Sequence, residues 1–175
     1  MTQILVIYST TDGHTPRICE RMRQVMTRQG QSVTVVPLAQ ADAQNLSSFD
    51  KIVIGASIRY GKHRPALVEF LQRNAQQLNG RPTAFFTVNL VARKAEKNRP
   101  DTNPYMLKLL RQLSWRPRQL AVFAGKVDYP RYGFFDRQII RLIMWMTDGP
   151  TGNRDVIDYT DWTKVDEFAQ AICRM

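Results

Sequence analysis

Apolar residues follow two spacings along this chain. Runs rich in β-branched and aromatic residues occupy positions 4–8 (ILVIY), 32–37, 51–56 (KIVIGA), 82–88 and 119–124. Runs of this kind predict strands covered on both faces, as in a parallel sheet. Between them the spacing changes to three and four. Ile18, Met22, Val25 and Met26 predict a helix over 17–29, and Leu67, Phe70, Leu71 and Leu78 one over 65–78. A third helix is predicted over 104–113. A last one, over 161–174, turns Val165, Phe168, Ala169 and Ile172 inward. Thr15 is placed to cap the first helix, Pro16 suits its first turn and Gly30 its end. Residues 39–49 read as a polar connection with a short helix. Residues 89–103 read as a long polar loop carrying Arg93, Lys94, Lys97 and Arg99.

Strands alternating with helices predict an α/β fold, with one domain spanning residues 1–175. Five strands with a hydroxyl-rich loop after the first match a flavodoxin-like doubly wound parallel sheet of order 2-1-3-4-5. That order places FMN where strands one and three part. The alternation breaks at 125–158, an insertion longer than the few residues needed before a closing helix. Within it, residues 134–146 form an amphipathic stretch. Phe135, Ile139, Leu142, Ile143 and Met146 fall on one side and Arg137 and Arg141 on the other. Phe134, Ile140, Met144 and Trp145 widen the apolar surface. Flanked by Arg131 and Arg154, this helix suits a membrane interface through Phe135, Ile139, Leu142, Ile143, Trp145 and Met146. Packing against its own domain is the competing reading.

Charge sharpens the picture. Lys and Arg number 25 against 15 Asp and Glu, a net charge of +10. Such a surplus points to an anionic partner: nucleic acid, lipid head groups or an acidic small molecule. No apolar run reaches the roughly 20 residues that span a bilayer. No signal-like segment precedes the first strand, so the chain reads as cytoplasmic. Cys19 and Cys173 sit in helix-patterned apolar segments and read as small buried hydrophobes. Neither a metal site nor a disulfide framework is expected.

Three loops carry candidate chemistry. The first, with Ser9, Thr10, Thr11, Asp12, Gly13, His14 and Thr15, brings several donors to a helix N-terminus, as a phosphate requires. It lacks the lysine of GxxxxGK[ST], which argues against a triphosphatase. Asp12 is expected to turn away from a dianion. A plain hydrophilic turn has the same composition. The second loop, with Ser57, Ile58, Arg59, Tyr60 and Gly61, offers an aromatic ring to cover a flavin and an arginine to meet a carboxylate. The third, with Thr87, Val88, Asn89, Leu90, Val91 and Ala92, offers backbone to the flavin's pyrimidine edge and the Asn89 amide to a ring carbonyl. His14 and His63 read as loop hydrogen-bonders before bases.

Several runs carry a resemblance: VIGASIRYG at 53–61, VNLVARK at 88–94 and YPRY at 129–132, with STTDG at 9–13, WRP at 115–117 and YTDW at 159–162. Over its whole length the chain resembles the menaquinone-dependent protoporphyrinogen IX dehydrogenases of bacteria. It departs from the ordinary flavodoxin T-x-T-G-x-T loop in carrying Asp12. The resemblance implies FMN, and oxidation of protoporphyrinogen IX to protoporphyrin IX in haem biosynthesis with the flavin N5 as hydride acceptor. It implies menaquinone or ubiquinone as electron acceptor, and a peripheral location at the cytoplasmic face of the inner membrane. The charge then has a use. The substrate carries two propionates, and each basic residue beside an anionic leaflet contributes on the order of 1 kcal/mol. Arg59, Arg93 and Lys94 are the expected propionate contacts, and no general base is nominated. An electron-carrier flavodoxin or quinone reductase would share the fold, although a carrier is usually acidic. A basic nucleic-acid-binding module would need an aromatic reading motif, which the sequence lacks, so no nucleic-acid partner is expected. A homo-oligomer is left open.

Overall fold

The structure, a computed structural model, describes residues 1–152 and 156–175. Arg154, expected beside the insertion helix, lies outside the described residues. Five parallel strands form the central sheet: β1 (Gln3–Ser9), β2 (Ser32–Pro37), β3 (Lys51–Ser57), β4 (Thr83–Asn89) and β5 (Gln119–Ala124). Their order is β2-β1-β3-β4-β5, as the sequence predicts. Ser9 lies level with Ala56 and Ser57 with Val88, so β1, β3 and β4 finish side by side.

Period-two alternation splits the apolar runs between two faces. Ile4, Val6 and Phe86 pack against helix α1 (Thr15–Arg28) and helix α6 (Trp162–Arg174). Leu5, Ile7, Ile54 and Phe85 pack on the other face with Leu67 and Leu71 of α2 (Pro65–Arg73), Leu78 of α3 (Ala75–Asn79) and Met106 of α4 (Pro104–Gln112). The third strand tolerates no side chain at its centre. A Cβ on Gly55 would lie 2.1 Å from the Phe86 ring.

Local structure departs from expectation at several points. His14, not Thr15, is the N-cap of α1, and its side chain makes no capping bond. Thr15 is the first helical residue instead. The helix expected over 65–78 breaks at Asn74, whose side-chain amide donates to the Phe70 carbonyl at 2.9 Å. The amide shares that carbonyl with the Asn74 backbone N–H at 3.1 Å, and Asn74 is the C-cap of α2. The polar connection after β2 forms short 3₁₀ turns at Leu38–Ala43 and Leu46–Ser48. Cys19 is buried as expected, whereas Cys173 is half-exposed.

The insertion has more order than its sequence predicts. Strands β6 (Lys126–Asp128) and β7 (Val156–Asp158) pair antiparallel, and helix α5 (Phe134–Met146) runs between them. Strands of three residues carry too little periodicity to be read from sequence. Val127, Tyr129, Tyr132, Ile140 and Met144 form a small core beneath α5.

Candidate functional site

The ends of β1, β3 and β4 open onto one cavity, as an open α/β sheet requires at its switch point. Thr10, Asp12, His14 and Thr15 line it from the first loop, residues 57–61 from the second, and residues 88–91 from the third. The three expected loops therefore meet. Ser9, Thr11, Gly13, Thr87 and Ala92 are not among the cavity's lining residues. Thr11 N–H donates to Ser57 Oγ at 3.2 Å and Gly13 N–H to Thr10 Oγ1 at 3.0 Å, so the hydroxyls of Thr10 and Ser57 hold the first loop in shape. The turn closes through Gly13 at φ +77°, a conformation that glycine adopts without strain.

Asn89 is committed elsewhere than expected. Its Oδ1 accepts from Ala92 N–H at 3.1 Å and from Asn103 Nδ2 at 3.2 Å, and its Nδ2 lies 3.5 Å from Asn103 Oδ1, so the side chain braces its own loop. Asp12, expected to turn away, is exposed at the rim of the cavity and pairs with Arg59 at 2.6 Å. Tyr60, at φ +50° and half-exposed, stands at the mouth with the Arg59 guanidinium 5.1 Å over its ring.

Two buried polar atoms test whether this cavity fits a phosphorylated flavin. Thr15 Oγ1 and His14 Nδ1 have no hydrogen-bond partner among the described residues. Both belong to the N-terminal end of α1, where the first-turn amides and the helix dipole favour an anion. Native proteins leave few buried polar groups unpaired, so a pair of them at an anion-binding position fits the phosphate of FMN.

The insertion roofs the cavity. Lys126, Tyr132, Ile140 and Ile143 line it from above, and Tyr105 of α4 closes one side. None of these stood among the expected cofactor or substrate residues. The YPRY run contains Tyr132, so the resemblance marked the segment without giving it a role. Ile143, assigned by helical spacing to the membrane face, points into the cavity instead. Helix α5 is rotated so that Ile140 and Met144 enter the small core, which turns Ile143 inward with them. Arg137 and Arg141, expected opposite the apolar side, are half-buried. The outer face of α5 remains apolar: Phe134, Phe135, Ile139, Leu142, Trp145 and Met146 are exposed. The helix is therefore not packed wholly on its domain.

The three expected propionate contacts each reach the insertion. Arg59 pairs with Asp136 of α5 at 2.6 Å as well as with Asp12. Tyr60 OH donates to the same Asp136 carboxylate. Burial alone would lower the Arg59 pKa, but bonds to Asp136 and Tyr60 and the charge of Asp12 raise it above its ordinary value. Tyr60 and Arg59 hold Asp136 below the ordinary carboxylate range. At the other end of α5, Arg93 donates to the Leu90 carbonyl at 3.0 Å, to the Thr147 carbonyl, and to Thr147 Oγ1 at 2.7 Å. Lys94 lies 3.8 Å from Asp148.

Both histidines are held neutral. His63 Nε2 lies 3.1 Å from Thr87 Oγ1, and burial lowers its pKa to about 4. His14 Nε2 lies 2.7 Å from Thr160 Oγ1 and 3.6 Å from Asp158. Burial lowers the His14 pKa more than Asp158 raises it. Among the described residues no cluster of metal-ligating side chains occurs.

The fold and these loops have relatives. The family model of the flavodoxin domain matches residues 5–153. The chain is 42% identical to the protoporphyrinogen IX dehydrogenase [quinone] of Escherichia coli K12 over 171 residues, covering 98% of this chain and 94% of that protein. It is 43% identical to the protein of the same name in Leishmania major, covering 94% of this chain and 72% of that one. Among solved structures, Megasphaera elsdenii flavodoxin superposes with a TM-score of 0.59 at 13% identity, covering 98% of this chain and 99% of that one. A flavodoxin from the domain Archaea superposes at 0.58 with 12% identity, covering 99% and 97%. These two likenesses show the fold. With its cavity at the sheet's switch point and its sequence matched almost end to end, the chain belongs to the flavodoxin-domain family of quinone-dependent protoporphyrinogen IX dehydrogenases.

Proposed function

We propose that this chain oxidises protoporphyrinogen IX to protoporphyrin IX, holding FMN in the switch-point cavity and passing electrons to a quinone at a membrane surface. Its family membership gives the reaction class, an oxidoreductase of haem biosynthesis. The observation that carries the site assignment is the pair of unpartnered polar atoms, Thr15 Oγ1 and His14 Nδ1, at the N-terminal end of α1. Those groups and the first-loop backbone hold the phosphate, while residues 57–61 and 88–91 flank the ring system. FMN, when bound, supplies the two-electron redox chemistry. The substrate loses six electrons and six protons in all, which three equivalents of quinone take up.

The protein's share is position, charge and exclusion of water. Val88, Leu90, Val91, Ile140 and Ile143 give the cavity apolar walls. Arg59, Arg93 and Lys94 ring the insertion's two ends, and we assign them to the propionates. Substrate carboxylates exchange with Asp136 and Asp148 for Arg59 and Lys94, and a propionate replaces the Thr147 oxygens at Arg93. The outer face of α5 supports peripheral docking on the membrane that holds the quinone. Among the described residues no helix is long and apolar enough to cross a membrane.

The test is an anaerobic mixture of FMN-reconstituted protein, protoporphyrinogen IX and a menaquinone analogue, followed by porphyrin fluorescence. Porphyrin formation that requires both FMN and quinone is expected. A normal flavin spectrum without porphyrin formation would overturn the substrate assignment.

A further inference from the structure

His14 carries a hydrogen-bond arrangement that fixes one of its protons. Thr160 Oγ1 lies 2.9 Å from the Ala124 carbonyl, which can only accept. The threonine hydroxyl therefore spends its hydrogen there and receives one from His14 Nε2, 2.7 Å away. The neutral ring then carries its proton on Nε2 and a bare lone pair on Nδ1. That Nδ1 is buried without a partner in a residue 7% exposed, beside the unpartnered Oγ1 of the fully buried Thr15. The next residue is Pro16, which has no N–H. One of the donors that a helix normally turns towards an anion is missing here, so side chains carry more of the task.

The surroundings favour an anion at this end. His14 also borders a small second cleft lined by Arg17, Lys126 and Arg131. Of its carboxylates, Asp12 pairs with Arg59 at 2.6 Å and Asp128 with Lys126 of the same cleft at 3.3 Å, which leaves Arg17 and Arg131 as its surplus of positive charge. Tyr132 closes the same cleft, Asp158 of β7 stands 3.6 Å from Nε2, and the Trp162 ring of α6 meets the imidazole edge-on. No acidic residue occupies the first turn of α1.

We propose that His14 is a proton-linked ligand of the FMN phosphate: cofactor binding brings a proton from solvent onto Nδ1, which donates to the phosphate while Nε2 stays tethered to Thr160. The inference rests on the FMN reading above and goes beyond it. Without cofactor, burial and the nearby Arg17 and Lys126 keep the ring neutral, against the pull of Asp158. A bound dianion reverses that balance, because an opposite charge within a few ångströms favours the imidazolium. The linkage makes His14 a specificity residue, favouring FMN over the same flavin without its phosphate.

The experiment is flavin-fluorescence titration of the folded, cofactor-stripped chain with FMN and with riboflavin between pH 7 and 9, where the phosphate is already a dianion. FMN affinity is expected to fall roughly tenfold across that range while riboflavin affinity stays level. In His14→Gln, whose amide still donates but does not titrate, the FMN slope should vanish. The ¹⁵N NMR spectrum of the FMN-loaded native protein at pH 7 should show His14 protonated on both nitrogens, a readout that needs no variant. A single neutral Nε2–H tautomer in the holoprotein, or an FMN slope that survives in His14→Gln, would overturn the proposal while leaving FMN binding intact. Failure of the folded chain to bind FMN at all would overturn the cofactor assignment as well.

Discussion

Membrane docking through α5 is tested by replacing two residues of its outer face, Phe135→Ser and Trp145→Ser. Phe135 is 80% exposed and Trp145 71%, so nearly all of each side chain is in water and available to transfer. Full withdrawal of a large apolar side chain from water is favourable by roughly 1.5–3 kcal/mol. A helix lying in the interface covers its residues incompletely, and half that value for each gives a loss of about 2 kcal/mol for the pair, or roughly thirtyfold in partitioning. The fold should not suffer, because Ile140 and Met144 form the core beneath α5 and remain in place. The assay is sedimentation with vesicles containing an anionic lipid, read beside tryptophan fluorescence. Trp115 is fully buried and Trp162 half-buried, so a blue shift on binding reports Trp145. Raising salt should weaken binding by screening the basic surface. Equal partitioning of the native and doubly substituted chains would refute docking through this face.

Other consequences follow from the same contacts. Asp136→Asn removes a carboxylate that competes for Arg59, so the KM for porphyrinogen should fall and amide exchange at the first turn of α5 should speed up; an unchanged KM with faster exchange would leave Arg59 as a tether alone. Gly55→Ala drives a methyl group into the Phe86 ring, and overpacking of this kind costs about 1–3 kcal/mol, visible as a lower Tm that Phe86→Leu partly restores. His63 binds its proton in the unfolded chain near pH 6.5 but in the native chain only near pH 4, so its contribution is complete above about pH 6.5 and is lost as pH falls towards 4. His63→Gln should remove up to about 3 kcal/mol of that acid-side slope in denaturant melts, and an unaltered slope would place it on other groups such as Asp158.

The central sheet was legible because its strands are buried on both faces and their apolar runs are uninterrupted. The switch point then placed the first two loops together before any side chain was seen. What the sequence hid were matters of direction and pairing. Spacing on a wheel gave α5 an apolar face but not its rotation, which is decided by Tyr129 and Tyr132 packing beneath it, and so Ile143 was assigned to the wrong side. Asn89 looked free to meet a ligand because its partner, Asn103, lies at the far end of the same loop. The ties of the two arginines were hidden because the partners, Asp136 for Arg59 and Thr147 for Arg93, come from the insertion. Thr160 carried no signal beyond the YTDW run, since its role depends on a contact with His14 across 146 residues.

The insertion resolves a difficulty that the bare fold would leave. A flavin cavity at a sheet edge is open to solvent, whereas a bulky, dianionic macrocycle must reach the cofactor and release electrons to a lipid-soluble acceptor. With α5 in place the cavity measures about 100 Å³, below the roughly 300–1,000 Å³ of ordinary small-molecule sites. The adjoining cleft, which shares Gly61 and Tyr105 with it, measures about 340 Å³. Ile140 and Ile143 line the first cavity alone, on a helix held at its ends by ion pairs and hydrogen bonds around Asp136, Thr147 and Asp148. Most of these groups are partly exposed, and such contacts hold weakly. Weak tethers at the ends, with a small apolar core under the middle, make a segment that can shift without unfolding the sheet. The partners at the ends are chemically matched to the proposed substrate, since a carboxylate held by Arg59 or Lys94 is replaceable by a propionate. Lifting α5 from the cavity would also move Phe134, Phe135 and Trp145 on its exposed outer face, and the docking proposed above would couple that movement to a membrane surface.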